Sequence, residues 1–282
     1  MYYKNFFTVI TVFKNAENYL FETIKSVIDQ KSQNKNIKLQ YIIVDGESSD
    51  NSKKIVDSFN DSSIEYYKRK DKTMFDSLAF ALKKVKGDFT SYLNAGDYYS
   101  NNCLKTVTDV FNQNERIKWI TGLKFIYNES SQITDIKIPY FYRSRLIQCG
   151  VYGKFLPFIQ QESTFWNSDL NNLIDYEKLK EFRNCGDLFI WNTFSKTTEL
   201  YCVNSYLAGF KYHANQITFD KTGKIDVYLE ETKKINRKIN IIDIIFIIKD
   251  SFFWYVLNTF KNKIINNEKN YINFNSKKNL WE

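Results

Sequence analysis

Histidine occurs once in this chain, at His213, and proline only twice, at Pro139 and Pro157. A single histidine removes the usual tetrahedral zinc sites, which draw on several His and Cys ligands. The four cysteines, Cys103, Cys149, Cys185 and Cys202, show no C-x-x-C spacing, so no zinc or dithiol motif is written there. So few prolines, with nine glycines in 282 residues, leave no room for a long flexible linker. Neither G-x-x-x-x-G-K-[ST] nor G-x-G-x-x-G is present, which excludes a P-loop and a dinucleotide fingerprint. The N-terminal MYYKNFFTVITVFKNAENYL has a short apolar run that leads into a polar helix start, not a signal-peptide layout. These absences predict a reduced, cytoplasmic protein.

What is present is apolar and basic. Hydrophobic residues make up 43% of the chain and aromatics 17%, enough for an ample core and against global disorder. The net charge of +8 suits an anionic partner such as a nucleotide or an acidic membrane surface. Basic residues are dispersed, however, and no nucleic-acid reader motif occurs, so no nucleic acid is expected.

FFTVITVF (6–13), YIIVDG (41–46), IEYYKRK (64–70), FTSYL (89–93) and KWITGLKFIY (118–127) read as strands. Helical stripes lie between them, such as Leu20, Ile24, Val27 and Ile28, then Met74, Leu78, Leu82 and Val85, then Leu104, Val107 and Phe111. This alternation predicts an α/β fold: a Rossmann-like, mostly parallel sheet flanked by helices over residues 6–127. Beyond residue 128 it stops. Residues 134–170 read as irregular, 171–195 as mostly helical and 199–213 as strand-like, packed against the edge of the sheet.

Acidic residues gather where ligands bind such sheets, beyond the carboxyl ends of the strands. Asp45 and Asp50 follow the second strand, Asp71 and Asp76 the third, and Asp97 the fourth. Any one of these is most simply a cap or turn residue. Repeated at successive strand ends on a basic protein, they also suit Mg²⁺ or Mn²⁺ bridging to substrate phosphates. The pair Arg69-Lys70 at the same rim could neutralise a diphosphate.

ITVFKNAENYLFETIKSVIDQ, YIIVDGESSDNS and RKDKTMFDSLAFALKKVKGDFTSYLNAGD together resemble the N-terminal half of a family 2 glycosyltransferase. PFIQQESTFW (157–166), CGDLFIW (185–191) and LAGFKYHANQIT (207–218) resemble the acceptor half of one branch, so the likeness covers about three quarters of the chain. It implies a GT-A fold divided into a nucleotide-sugar half (1–127), an acceptor and catalytic half (128–220) and a helical extension (221–282). The implied activity is metal-dependent, inverting transfer from a nucleotide-diphosphate sugar, a UDP-sugar before a GDP-sugar. The acceptor would be a glycan or lipid-linked glycan of a bacterial surface polysaccharide such as lipopolysaccharide or capsule.

By the same likeness Thr11, Phe13, Asn15, Asp45, Ser48, Asp50, Lys70, Asp71, Asp76, Asn94 and Asp97 would hold the donor. Glu17 would help order the first loop. DKTMFD stands where the family reads D-K-G-x-Y-D, with Thr73 for the glycine and Phe75 for the tyrosine. Asn94-Ala95-Gly96-Asp97 stands where the family carries D-x-D, so Asp97 becomes the principal metal ligand, with His213 as a further candidate. Asp187 becomes the catalytic base, although an acid at a helix start is also a plain dipole partner. Gln161, Glu162 and Trp191 fall on the acceptor side, with Glu162 the competing base and Trp191 either an acceptor platform or packing. The thinned D-x-D also admits a decayed relative that only binds a sugar nucleotide or glycan.

INIIDIIFIIKDSFFWYVLNTFKNKII (239–265) is apolar enough to suggest a membrane span, but Asp243, Lys249 and Asp250 interrupt it. Asp243 and Asp250 share one stripe of a helix, and lysines flank it. It reads either as a helix on an anionic membrane surface or as one packed on the domain or in a homodimer.

Overall fold

The computed structural model describes residues 4–137, 142–211, 224–259 and 270–282. Its first half alternates as expected: β1 (Phe6–Phe13), α1 (Leu20–Gln33), β2 (Lys38–Asp45), α2 (Ser52–Ser58), β3 (Ile64–Lys68), α3 (Met74–Leu82) and β4 (Phe89–Tyr92). Next come β5 (Tyr98–Tyr99), α4 (Cys103–Gln113), β6 (Trp119–Thr121), β7 (Lys124–Tyr127) and β8 (Ile133–Lys137). The second half holds α5 (Ser144–Ile147), β9 (Thr164–Asn167), a 3-10 helix at Ser168–Leu173, α6 (Tyr176–Leu179), α7 (Gly186–Ser195), β10 (Leu200–Val203) and β11 (Ala208–Lys211). The chain closes with α8 (Lys224–Ile235), α9 (Ile241–Thr259), β12 (Tyr271–Ile272), β13 (Phe274–Asn275) and β14 (Leu280–Trp281).

An eight-stranded sheet in the order β12-β10-β6-β9-β4-β1-β2-β3 forms the centre. Side chains alternate across it, because successive residues of a strand face opposite ways. Phe7, Val9, Tyr41 and Ile43 pack with Leu20, Ile24 and Val27 of α1 on one face. Ile10, Val12, Ile42 and Val44 pack with Leu78 and Leu82 of α3 on the other. Phe13 lies beside Asp45 and Asp45 beside Lys68, so the carboxyl ends of β1, β2 and β3 come level at one rim.

Three expectations are corrected by this topology. KWITGLKFIY is two strands, not one: β6 stays in the large sheet, and β7 joins a second sheet ordered β5-β11-β7-β8. The break falls at Gly122, where a Cβ would stand 2.7 Å from Leu207 Cγ, so only glycine lets the two connections cross. The strand-like stretch 199–213 divides in the same way into β10 and β11. Residues 134–170, read as irregular, supply β9, which runs antiparallel between β4 and β6. The second half therefore contributes strands to the sheet itself, β9 within it and β10 and β12 at one end. Residues 171–195 are short helices separated by turns, α7 being the longest.

Candidate active site

The loops after β1 and β2 are laced together by side chains. The Asn15 amide donates to Ser48 Oγ (2.8 Å), and Asn15 Oδ1 accepts from the Ser49 amide (2.9 Å). The Ala16 amide donates to Ser52 Oγ (3.0 Å) and the Glu17 amide to Asp50 Oδ2 (3.0 Å). Glu17 returns the bond by accepting from the Asn51 amide (2.9 Å). Asn15 adopts a left-handed φ of 52°, a conformation asparagine tolerates better than most residues. Asp45 is buried at the end of β2 and accepts from the Ser48 amide (2.7 Å) and the Tyr66 hydroxyl (2.6 Å).

The rim after β3 is held by an ion pair. Arg69 donates from Nε and Nη2 to Asp71, and its guanidinium lies 3.9 Å from the centre of the Phe80 ring. Although burial opposes it, the Arg69 and Ser77 hydrogen bonds hold the Asp71 carboxyl below its usual range. Of the expected basic pair, Lys70 is thus the exposed cation, while Arg69 serves Asp71. Thr73 caps α3 by accepting from the Asp76 amide (3.1 Å). Phe75 turns inward onto Gly186, where any Cβ would stand 2.2 Å from its ring. That close approach seats the start of α3 against the start of α7.

The turn after β4 is tied on every side. Asp97 is 3% exposed, and its Oδ1 accepts from the Lys211 amide (3.1 Å). Thr23 Oγ1 donates to the Asp97 carbonyl (2.8 Å) and accepts from the Gly96 amide (2.9 Å). Gly96 has φ 107°, which supplies the left-handed step that the turn needs. Asn94 Nδ2 donates to Gln161 Oε1 (2.9 Å), and Gln161 Nε2 donates to the Tyr92 carbonyl. Glu162 follows directly, also buried.

Three carboxylates act on Tyr92 at the end of β4. Burial first, and then the Asp187, Glu162 and Asp97 carboxylates, push the Tyr92 phenol well above its ordinary range. Burial, with Glu162 beside it, likewise pushes Asp97 well above the usual carboxylate range. Asp187 sits half-buried in the first turn of α7, where burial pushes it up to about 6.

A family model described as glycosyl transferase family 2 matches residues 8–181 of this chain. The chain belongs to glycosyltransferase family 2. An uncharacterized glycosyltransferase of Rickettsia typhi is 22% identical over 229 residues, 80% of this chain and 70% of that protein. S. aureus TarS, solved over residues 1–349, superposes with a TM-score of 0.60 at 14% identity, covering 92% of this chain and 75% of that one. Its complex with UDP-GlcNAc gives 0.62 at 14% identity, covering 92% and 76%. At such identity the likeness speaks for the fold.

In this glycosyltransferase the rim offers oxygen donors to a divalent ion. Asn94 Oδ1 is buried without a hydrogen-bond partner, and Asp97 carries a carboxylate that a cation would favour. Among the described residues no group of three or more His, Cys, Asp or Glu side chains is gathered to hold a metal. The set fits Mg²⁺ or Mn²⁺, which take one or two carboxylates and complete their shell with substrate phosphates. His213 lies outside the described residues.

Two of the expected site residues have their side chains in the core. Trp191 is a core residue: it stacks on Trp119 (5.7 Å between centroids) and meets Trp166 edge-on (5.7 Å), out of reach of an acceptor. Thr11 is fully buried within β1 and shares a hydrogen bond with the Tyr41 hydroxyl (2.9 Å), so its side chain does not reach the rim.

The sequence reading also missed Thr23, Tyr66 and Glu231. Glu231, on α8, accepts from the amides of Arg183 (2.7 Å), Asn184 (2.9 Å) and Cys185 (3.0 Å), and so fixes the turn that leads into Asp187. Local patterning carries no signal for a partner so distant in the chain.

Proposed function

We propose that this glycosyltransferase has a GT-A fold and moves a sugar, with inversion, from a nucleotide-diphosphate donor to a glycan or lipid-linked glycan of a bacterial surface polysaccharide. Residues 1–127 hold the donor, 128–220 the acceptor and the base, and 221–282 form an extension. The observation that carries the reading is the turn after β4, where buried Asp97 and the unpartnered Asn94 Oδ1 stand on the rim, with Asp187 in the first turn of α7 as the acid on the second half. TarS structures with UDP and with UDP-GlcNAc support a UDP-sugar ahead of a GDP-sugar.

Asn15, Ser48, Asp50 and Lys70 border the nucleotide, with Asp45 at its base. Asp97, Asn94 and His213 would hold a divalent ion, which supplies charge neutralisation for the leaving diphosphate. Asp187 takes the proton of the acceptor hydroxyl as that oxygen bonds to the anomeric carbon. The bond to the diphosphate breaks on the opposite face, and the leaving group keeps the electron pair. A carboxylate with a pKa near 6 is ionised at neutral pH yet more basic than an ordinary one, as a general base requires. Glu162, buried beside Asp97, lies on the acceptor side and is the competing candidate for the base.

Calorimetric titration of UDP and GDP, with and without Mn²⁺, tests this reading on the native protein and on Asp97→Ala. Metal-dependent binding of UDP that disappears in the variant is expected. Binding of neither nucleotide with Mn²⁺ present overturns the donor site.

A further inference from the structure

The amphipathic pattern of α9 is inside out. Asp243 and Asp250, which share a stripe of the helix, face the protein and are fully buried. Asp243 accepts from Arg145 Nε (2.8 Å), from Arg237 Nη1 (2.6 Å) and from the Asn240 amide (2.9 Å). Arg237 first, with Arg145 and the Asn240 amide, holds its carboxyl far below the usual range against the cost of burial. Asp250 takes a forked pair from Arg143 (2.7 and 2.9 Å). Phe246, Ile247, Phe253 and Trp254 pack inward beside these acids.

The opposite arc carries Ile241, Ile242, Ile244, Ile245, Ile248 and Phe252, exposed by between 49% and 78%. At 3.6 residues per turn these positions span about 160° of one helix. A single exposed isoleucine needs no explanation, whereas a contiguous face of six marks a surface that something covers.

Charge says what covers it. The one charged residue on that arc is Lys249, and Lys233, Lys234 and Lys238 stand exposed just before the helix. Among its described side chains, α9 presents no acid to solvent, because both are locked inside by arginines. A symmetric contact with a second copy would set this cationic face against itself. The helix is 19 residues, about 28 Å, yet among the described residues no helix is long and apolar enough to cross a membrane. We infer that α9 lies flat on an anionic lipid surface, its isoleucine face in the acyl boundary and its lysines among the headgroups.

Hydrogen bonds tie the cradle of α9 to α7, the helix that carries Asp187. Gln148, just after α5, donates from Nε2 to the Ser195 carbonyl of α7 (3.0 Å). Its carbonyl accepts from the Arg237 amide (2.9 Å), next to the α9 cradle. A protein seated by α9 therefore holds α7 and Asp187 above the lipid. That arrangement serves an acceptor carried on a lipid, and the docking itself does not depend on the donor reading.

Co-sedimentation of the full chain with phosphatidylcholine vesicles, with and without phosphatidylglycerol, tests the inference. Binding to the anionic vesicles alone, weakened by added salt, is expected. The triple variant Ile241→Ser, Ile245→Ser, Ile248→Ser, which alters only outward positions, is expected to lose about tenfold or more in affinity. The single variant Lys249→Glu keeps the apolar face and should lose a smaller factor. An unchanged circular dichroism spectrum and unchanged UDP titration show that the variants are folded. Equal binding of native and triple-variant protein overturns the inference. So does a dimer in sedimentation equilibrium that the triple variant dissociates while neither protein binds vesicles.

Discussion

Asp187 and Glu231 form a connected pair at the start of α7: Glu231 accepts from three successive backbone amides there, and its charge adds to the upward shift of Asp187. With Asp187 as base, kcat/KM for sugar transfer falls as pH drops through about 6, because protonation removes the proton acceptor. Replacing Asp187 by Asn should lower kcat by about 10²- to 10⁴-fold, the usual worth of a general base, with nucleotide affinity kept. Glu231→Gln removes a negative charge that raises Asp187, so the acidic limb should move to lower pH; an unmoved limb would separate the two residues. The placing of Asp97 after a strand and of Asp187 at a helix start was legible from motif position, because both segments carry turn and cap residues next to apolar runs. Trp191 was not, because a tryptophan looks the same in sequence whether it faces a sugar or the stack of Trp119 and Trp166. Thr11 misled for a related reason: a strand residue two places before the rim points into the core.

Among the elements, α3 of the first half meets α7 of the second where Phe75 packs on Gly186. Phe75 lies so close to Gly186 that an added methyl at position 186 would stand 2.2 Å from its ring. Gly186→Ala should therefore destabilise the protein by about 1–3 kcal/mol in urea unfolding, the usual cost of overpacking. Phe75→Leu combined with Gly186→Ala should recover part of that loss, a non-additivity expected only of touching residues. β1, β2 and β4 were legible because each is a buried apolar run bounded by polar turns. β9 was hidden, since TFWN is too short for a periodic signal and runs against its neighbours. The division of 118–127 into β6 and β7 was hidden too, because Gly122 serves a crossing with residues 205–207 that local sequence does not describe.

At the scale of the whole molecule, α8 and α9 hold the second half together through charges buried under them. Asp243→Asn leaves Arg145 and Arg237 without their carboxylate, and stability should fall by roughly 3 kcal/mol, the lower end for a broken buried ion pair, since both arginines can turn toward water. Because the folded protein holds the Asp243 carboxyl below its unfolded range, its stabilisation is present above about pH 4 and is lost as pH falls through the folded value. Acid unfolding of the native protein should therefore be steeper than that of Asp243→Asn. The acids of α9 were visible in the sequence as one stripe, but its direction was not, because it is set by Arg143, Arg145 and Arg237 from elsewhere in the chain.

We propose that the rim after β1–β4 holds a nucleotide diphosphate through a divalent ion on Asp97. Anomalous scattering from crystals grown with UDP and Mn²⁺ tests it most directly. A manganese peak on the Asp97 carboxylate, with the diphosphate against it and the base beside Asp45, is the predicted result. Nucleotide bound away from that rim, or bound there with no manganese at Asp97, would contradict the account.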